Sequence, residues 1–524
     1  MKYYHDVLLC TPFLGQTLTS KFLAPSLGIY SIASFLRNQG IEATVFDPNL
    51  DVGNKFINTI KLSKYTFIGF STTHETLSHD LELLASARRI NPDAVFLIGG
   101  AEATTYYNEI FKNIPYNLIA VIGPGEHTLF DMIKVYNPKK TWIDNFSSIK
   151  GLRIKENRNI YSTGDPNTFD INKFIEVTHS MDFQSVPYEL YWSSNRELFS
   201  KNSLQIMGAY INTLRLSTSM RCNHRCIFCS SRTYSDIFSK GLTVRQQQLS
   251  PLHVLKLIEK SLQAFPDAEA LYFNDDNFFY NKKRTIELCR LIIEARDTSN
   301  SSSPLKNRRL KFICQARVNG ITPEFLIILK NAGFVAISYG VESFSEKILE
   351  FYNKGNRIEE IERVLKNTLQ IGINVLINII LFPPNITLDD LCGTIDRAVY
   401  YIHELGAHIV HNNFIISMPG AEINEMTFPE ECIEYRRIQI PEDNIDFDIK
   451  LKILPVDPYM KKLSLDAVSK SNEISNFIVR TFDLDTRHIT QTLGALIIFY
   501  AIYELLNDSR KENVFKAIKK VIER

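Results

Sequence analysis

The sequence predicts an α/β chain made of two α/β domains in series with a mainly helical region after them, and three observations predict it. Short apolar runs of strand length alternate with helix-period segments from residue 5 to about 136, and the alternation begins again at 211 and runs to about 420. Between the two lies an aromatic-rich stretch without a regular period. Beyond Pro419 the pattern becomes mixed and then helical to Arg524. At 524 residues the chain is too long for one compact domain. The expected boundaries are residues 1–140, a linker or insertion over 141–210, a second α/β domain over 211–420 and a helical domain over 421–524.

In the first domain the expected strands are Asp6 to Thr11, Ala43 to Asp47, Thr66 to Thr72, Ala94 to Gly99 and Leu118 to Gly123. Helix-period segments such as Leu27 to Asn38 and Leu77 to Ile90 separate them, the second closed by Asn91-Pro92. Strict alternation through short connections calls for parallel strands with helices on both faces, a doubly wound Rossmann-like or flavodoxin-like sheet. Ligands of such sheets sit at the carboxyl ends of the strands. Those ends carry Thr11-Pro12, Ser71-Thr72-Thr73-His74, Gly99-Gly100-Ala101-Glu102 and Gly123-Pro124-Gly125-Glu126. Glycines there let backbone approach a bulky ligand, and amides at a helix start can bind phosphate. Asp47-Pro48-Asn49 reads as a turn.

The linker should hold a hairpin across Glu156-Asn157-Arg158, and Tyr188, Tyr191 and Trp192 should pack between domains or, as the second choice, line a substrate entrance. In the second domain the expected strands are Thr213 to Thr218, Ala270 to Asn274, Lys311 to Arg317, Val335 to Tyr339, Asn374 to Leu381 and Ile409 to Ile416. Helices are expected over Pro251 to Ala264, Lys282 to Arg296, Pro323 to Ala332, Ile358 to Ile371 and Leu388 to Leu405, with a surface loop at Ser299 to Ser303. Six such units suggest an open partial (β/α)6 TIM-type barrel, active at its strands' carboxyl ends. Those ends are polar where a pure core would not be: Asn274-Asp275-Asp276-Asn277, Gln315-Ala316-Arg317 and Gly340-Val341-Glu342-Ser343. Such groups are costly to bury and suit a polar cofactor.

Lys and Arg total 59 against 58 Asp and Glu, so no basic footprint for nucleic acid is present. The start, Met1 to Asp6, has no secretory pattern, and a cytoplasmic location is expected. The apolar stretch Leu493 to Tyr503 is too short to span a membrane and reads as a buried helix. Cys10, Cys289, Cys314, Cys392 and Cys432 are dispersed in mostly apolar patterns and read as buried thiols.

Cys222, Cys226 and Cys229 instead form a CxxxCxxC loop directly after the first barrel strand. Soft thiolates at this spacing can hold three corners of an iron-sulfur cubane and leave the fourth iron open to chelate a small molecule. A zinc knuckle and inert thiols are the other readings, although zinc wants a fourth ligand at short range. The segment resembles the radical S-adenosylmethionine (SAM) enzymes, whose open iron binds the amino and carboxylate groups of that cofactor. The strand ends of the first domain, with Pro25-Ser26-Leu27-Gly28-Ile29, resemble the cobalamin-binding domain that precedes the cluster domain in one branch of that family, and Pro419-Gly420 matches a turn common there.

The resemblance implies a [4Fe-4S] cluster on Cys222, Cys226 and Cys229, and SAM contacts from Phe228, Asp275 or Asp276, Arg317, Glu342 and Ser343. It places cobalamin against Thr11, Pro12, Ser71, Thr72, His74, Gly99, Gly100, Glu102, Gly123, Gly125 and Glu126. The Asp-x-His-x-x-Gly pattern whose histidine ligates cobalt is absent, so the corrin's own base should be displaced without that ligand. Arg317 and Glu342 could alternatively pair across neighbouring strands. The implied activity is methyl transfer from methylcobalamin to an unactivated carbon, or less readily phosphorus, of a natural product or peptide through a 5'-deoxyadenosyl radical. A flavodoxin or ferredoxin would supply the electron. Oxidative cyclisation or ring rearrangement is the first alternative, and a non-catalytic cobalamin or redox sensor the second. Methylthiolation is disfavoured, since the first domain lacks three clustered cysteines. No acid, base or nucleophile is singled out.

Overall fold

The computed structural model describes residues 6–13, 24–50, 65–198, 210–239, 247–298, 302–484 and 490–523. Residues 299–301 of the expected serine-rich loop lie outside them. Among the described residues the first sheet has seven strands in the order β2-β1-β3-β4-β5-β6-β7. These are β1 Val7–Cys10, β2 Ala43–Phe46, β3 Phe67–Ser71, β4 Val95–Gly99, β5 Leu118–Val121, β6 Leu152–Glu156 and β7 Asn159–Ser162. β1 to β5 are parallel, and their 2-1-3-4-5 order is that of a flavodoxin-like doubly wound sheet.

Alternate residues of each strand feed opposite faces. Val7 and Leu9 pack with Ile29, Ala33, Leu129 and Met132 of the helices Leu27–Asn38 and Glu126–Val135. Leu8 and Cys10 pack with Leu81, Leu84 and Phe111 of Leu77–Ile90 and Gly100–Asn113. Burial on both faces explains why the strands read as unbroken apolar runs. The expected hairpin is present: Asn157 and Arg158 take φ of 50° and 70°, the left-handed pair of a two-residue turn, and β6 pairs antiparallel with β5. It thereby extends the first sheet.

The second sheet has eight strands among the described residues, ordered β16-β17-β15-β14-β13-β12-β11-β8. β8 Thr213–Leu216, β11 Ala270–Phe273, β12 Lys311–Ala316, β13 Phe334–Glu342, β14 Asn374–Phe382 and β15 His408–Ile416 are parallel and form the open partial barrel. A short ladder, β9 Ser219–Met220 with β10 Gln247–Gln248, braces the segment between β8 and the cysteine loop. The stretch after Pro419 is better ordered than its mixed pattern suggested. β16 Ile433–Ile440 and β17 Ile445–Ile453 form a long antiparallel hairpin that joins the barrel edge at Ile415 and Ile416. Its outer half reaches the first domain, where Ile438, Ile440, Ile445 and Ile449 enter the same apolar cluster as Leu8 and Phe111.

The linker aromatics tie the domains together. Trp192 Nε1 donates to the Thr213 carbonyl at 3.3 Å, and Tyr191 and Tyr30 hydroxyls donate to Asp47 Oδ2 at 2.6 and 3.0 Å. Asp47 is therefore a buried acceptor as well as part of a turn. Helices Pro458–Thr481, Gln491–Leu505 and Lys511–Glu523 finish the chain; the middle one is buried on nearly all sides, which accounts for the apolar run Leu493 to Tyr503. No described helix is long and apolar enough to cross a membrane.

Candidate functional site

The cysteine loop begins with strain. Arg221 takes φ 74° immediately before Cys222, a left-handed conformation unfavourable for a bulky residue. Beyond it the Cys229 amide donates to the Cys226 carbonyl at 3.0 Å, closing a tight turn, and the loop is held by backbone bonds from Ile227 to Tyr352 and from Ile423 to Ile227. All three cysteines are free and half-buried. Burial first, then nearby Asp276 and the other thiols, pushes the Cys222 thiol up to about 11, and burial raises that of Cys229. His224 is pulled down to about 4 by burial, then by Arg317 and Lys354, and is neutral at physiological pH. Among the described residues no three His, Cys, Asp or Glu side chains close on a single ion. A cubane takes each thiolate on a different iron and asks for no such convergence. Three thiols on one strand-end loop beside two cations fit an anionic cluster.

The two carboxylates of β11's end divide. Asp275 is buried and accepts from the Thr218 amide at 3.1 Å and hydroxyl at 3.0 Å, bracing the end of β8. Asp276 lines the open cavity and accepts from Ser231 Oγ at 3.3 Å. Burial raises both carboxyls. Arg317 and Glu342 do not pair with each other. Glu342, at φ 68° beside a strand irregularity, pairs with Lys354 at 3.0 Å, whereas Arg317 donates to Cys226 Sγ at 3.3 Å. Ser343 meets Thr394 Oγ1 at 3.2 Å and accepts from the Ser345 amide, so its hydroxyl serves the framework. Phe228 packs edge-on to Tyr352, with ring centroids 5.0 Å apart.

A cavity of about 530 Å³ joins the two domains. Leu9, Gly69, Leu97 and Val121 of the first sheet form its floor, and Ile29, Ile32 and Leu129 of the helices above form the opposite wall. It passes Ser71, Gly99, Gly100, Gly123, Gly125 and Glu126 at the strand ends and reaches Met220, Arg221, Asn274 and Asp276 beside the cysteine loop. Gly100 sits at φ +93° with its Cβ position 2.8 Å from the Thr72 carbonyl, so no side chain fits there. Gly69 lacks only room: a Cβ would meet Leu9 Cδ2 at 3.0 Å and fill the slot between sheet and helices. A largely apolar cavity that opens at glycine-lined strand ends fits a bulky cofactor such as a corrin.

Five of the expected cobalamin contacts are not on this cavity: Thr11, Pro12, Thr72, His74 and Glu102. Thr72 donates to the Gly99 carbonyl at 3.1 Å, and the Pro12 carbonyl accepts from Asn49 at 2.8 Å. His74 is buried with Nδ1 3.3 Å from Glu102 Oε1, and its carbonyl is held by Arg436. Conversely, Leu9, Gly69, Ile32, Arg221 and the linker's Phe169 and Phe174 line the cavity without having been expected. Only Gly69 left a readable trace, a glycine inside the buried strand Phe67–Ser71.

The geometry agrees with comparisons to known proteins. The family model of the radical SAM superfamily matches residues 216–398, and that of the B12 binding domain matches residues 16–132. An uncharacterized methyltransferase of Pyrococcus horikoshii is 24% identical over 380 residues, covering 71% of this chain and 73% of its own. An anaerobic magnesium-protoporphyrin IX monomethyl ester cyclase of Cereibacter sphaeroides is 24% identical over 292 residues, covering 54% of this chain and 41% of its own. The solved structure of TsrM, a radical SAM methyltransferase from Kitasatospora setae, superposes with a TM-score of 0.65 at 15% identity over 98% of this chain and 99% of that one.

Proposed function

We propose that the chain, with its radical SAM superfamily match over residues 216–398 and B12 binding domain match over 16–132, is a cobalamin-dependent radical SAM methyltransferase acting on an unactivated carbon, or less readily phosphorus, of a natural product or peptide. The cavity that runs from the glycine-lined strand ends to Asp276 and the cysteine loop carries this reading, because methyl transfer needs both cofactors to face one substrate. When bound, the cluster and SAM supply a hydrogen-abstracting radical, and the corrin supplies the methyl group.

The chain's own residues bind, orient and exclude water. Cys222, Cys226 and Cys229 would hold the cluster. Asp276, at the barrel end of the cavity, would accept from the ammonium of SAM, with Asp275 behind it fixing the strand ends. Phe228, packed on Tyr352 and beside Lys354, and the Glu342–Lys354 pair would serve as further SAM contacts. The apolar slot over Leu9, Gly69 and Leu97 would take the corrin's base, and Phe169 and Phe174 would seal the outer wall. A flavodoxin or ferredoxin as electron donor and a cytoplasmic location belong to the same reading.

Oxidative cyclisation or ring rearrangement is a second reading, favoured by the similarity to the cyclase of Cereibacter sphaeroides. The reduced, reconstituted enzyme incubated with candidate substrates and methyl-deuterated SAM separates the two by mass spectrometry. A product carrying the labelled methyl group supports methyl transfer. A product that has lost hydrogen and carries no label supports cyclisation. SAM left intact would leave only a non-catalytic sensor.

A further inference from the structure

Arg317 directly follows β12, is 7% exposed, and donates four hydrogen bonds among the described residues, none of them to a carboxylate. Its Nε donates to Asn319 Oδ1 at 3.1 Å. One terminal nitrogen donates to Asn356 Oδ1 at 3.0 Å and to the Lys354 carbonyl. The other donates to Cys226 Sγ at 3.3 Å. Three of these acceptors are neutral, so among the described residues the cysteine sulfur is the one group in hydrogen-bond contact that can carry the compensating negative charge. A buried cation without an anion is costly. The neighbouring Lys354 is no substitute, because its ammonium is paired with Glu342 at 3.0 Å.

We propose that Arg317 is a positioning residue for the cluster: its guanidinium, locked by Asn319, Asn356 and the Lys354 carbonyl, hydrogen-bonds the Cys226 thiolate and makes the cluster easier to reduce. The proposal rests on the reading of the three cysteines as cluster ligands and departs from the expected role of Arg317 on SAM. Its physical basis is simple. Reduction adds one electron and one negative charge, and a fixed donor cation at a ligand sulfur stabilises the more negative state. The planar fork of arginine spans sulfur and amide acceptors together, which a lysine ammonium cannot do.

The test is a dithionite titration of the anaerobically reconstituted full chain without SAM, followed by the paramagnetic signal of the reduced cluster. Wild type, Arg317→Met and Arg317→Lys are compared at equal iron content. Arg317→Met should lower the midpoint so that the reduced fraction at a fixed potential falls about tenfold, equivalent to about 59 mV for one electron. Arg317→Lys should fall between the two. Asn319→Ala keeps all ligands and the guanidinium but frees its orientation, and it should shift the midpoint in the same direction by less, even if Arg317→Met assembles no cluster. Midpoints unchanged in iron-loaded variants would overturn the proposal while leaving the cluster assignment intact, and unchanged midpoints with weakened SAM binding would return Arg317 to the cofactor's carboxylate. A wild-type chain that takes up no iron would overturn the cluster reading and the proposal together.

Discussion

At Cys226 the sulfur proposed as a cluster ligand, a guanidinium donor and the turn bond from Cys229 meet on one residue. Cys226→Ala should therefore lose both iron and reductive cleavage of SAM, measured as 5'-deoxyadenosine; undiminished 5'-deoxyadenosine would remove the cluster assignment. Asp80 offers a test of a different kind. Burial pushes its carboxyl from an ordinary 3.8 to about 8, against the lowering effect of bonds from Thr76 and from the Phe13 amide at 2.7 Å. Between those values the folded carboxyl keeps its proton and the unfolded one has released it, so stability falls as pH rises and levels off above about 8. Asp80→Asn, which can still accept from Phe13, should flatten that decline in thermal unfolding between pH 5 and 9; an unaltered slope would place the titration elsewhere. Residue chemistry was legible in the sequence where spacing alone encodes it, as in the cysteine triplet. Asp275 and Asp276 were not separable by sequence, since adjacent residues at a strand end point opposite ways and only the folded chain shows which one meets the cavity.

The parallel strands were legible as apolar runs and their helices as periodic segments, some of them bounded by a strong cap. Pro323–Ala332 starts at Thr322, whose side chain accepts from the Phe325 amide, and ends at Gly333 with φ 110°. The hairpin of β16 and β17 was missed because its alternating isoleucines are interleaved with charges and follow irregular chain, so the pattern lacked the turn and helix signals that framed the others. Yet it fastens the first domain to the barrel, with Arg436 on the His74 and Glu75 carbonyls and Asp443 3.3 Å from Arg89. Ile449 is fully buried in that junction. Ile449→Ala should cost about 2–5 kcal/mol of stability and lower cobalt retention more than iron retention. Equal loss of both metals would mean that the hairpin supports the fold without setting the domain junction. In the first domain, β3 lines the slot at Gly69, and Gly69→Val should exclude cobalamin while iron loading stays at the wild-type level; full cobalt in this variant would move the site off the sheet.

For the molecule as a whole, the fold class was legible because two rounds of alternation demand two parallel sheets, whereas the cavity was not, because it is assembled from both domains and the linker. That shared construction also makes removal of residues 5–136 a poor test, since it would expose Ile438, Ile440 and Ile449 to water. The intact chain answers the central question directly. After anaerobic reconstitution with iron, sulfide and hydroxocobalamin, then desalting, the protein should hold about four irons and one cobalt per chain. About four irons with no cobalt would contradict it, leaving the radical chemistry in place and removing methylcobalamin from the reaction.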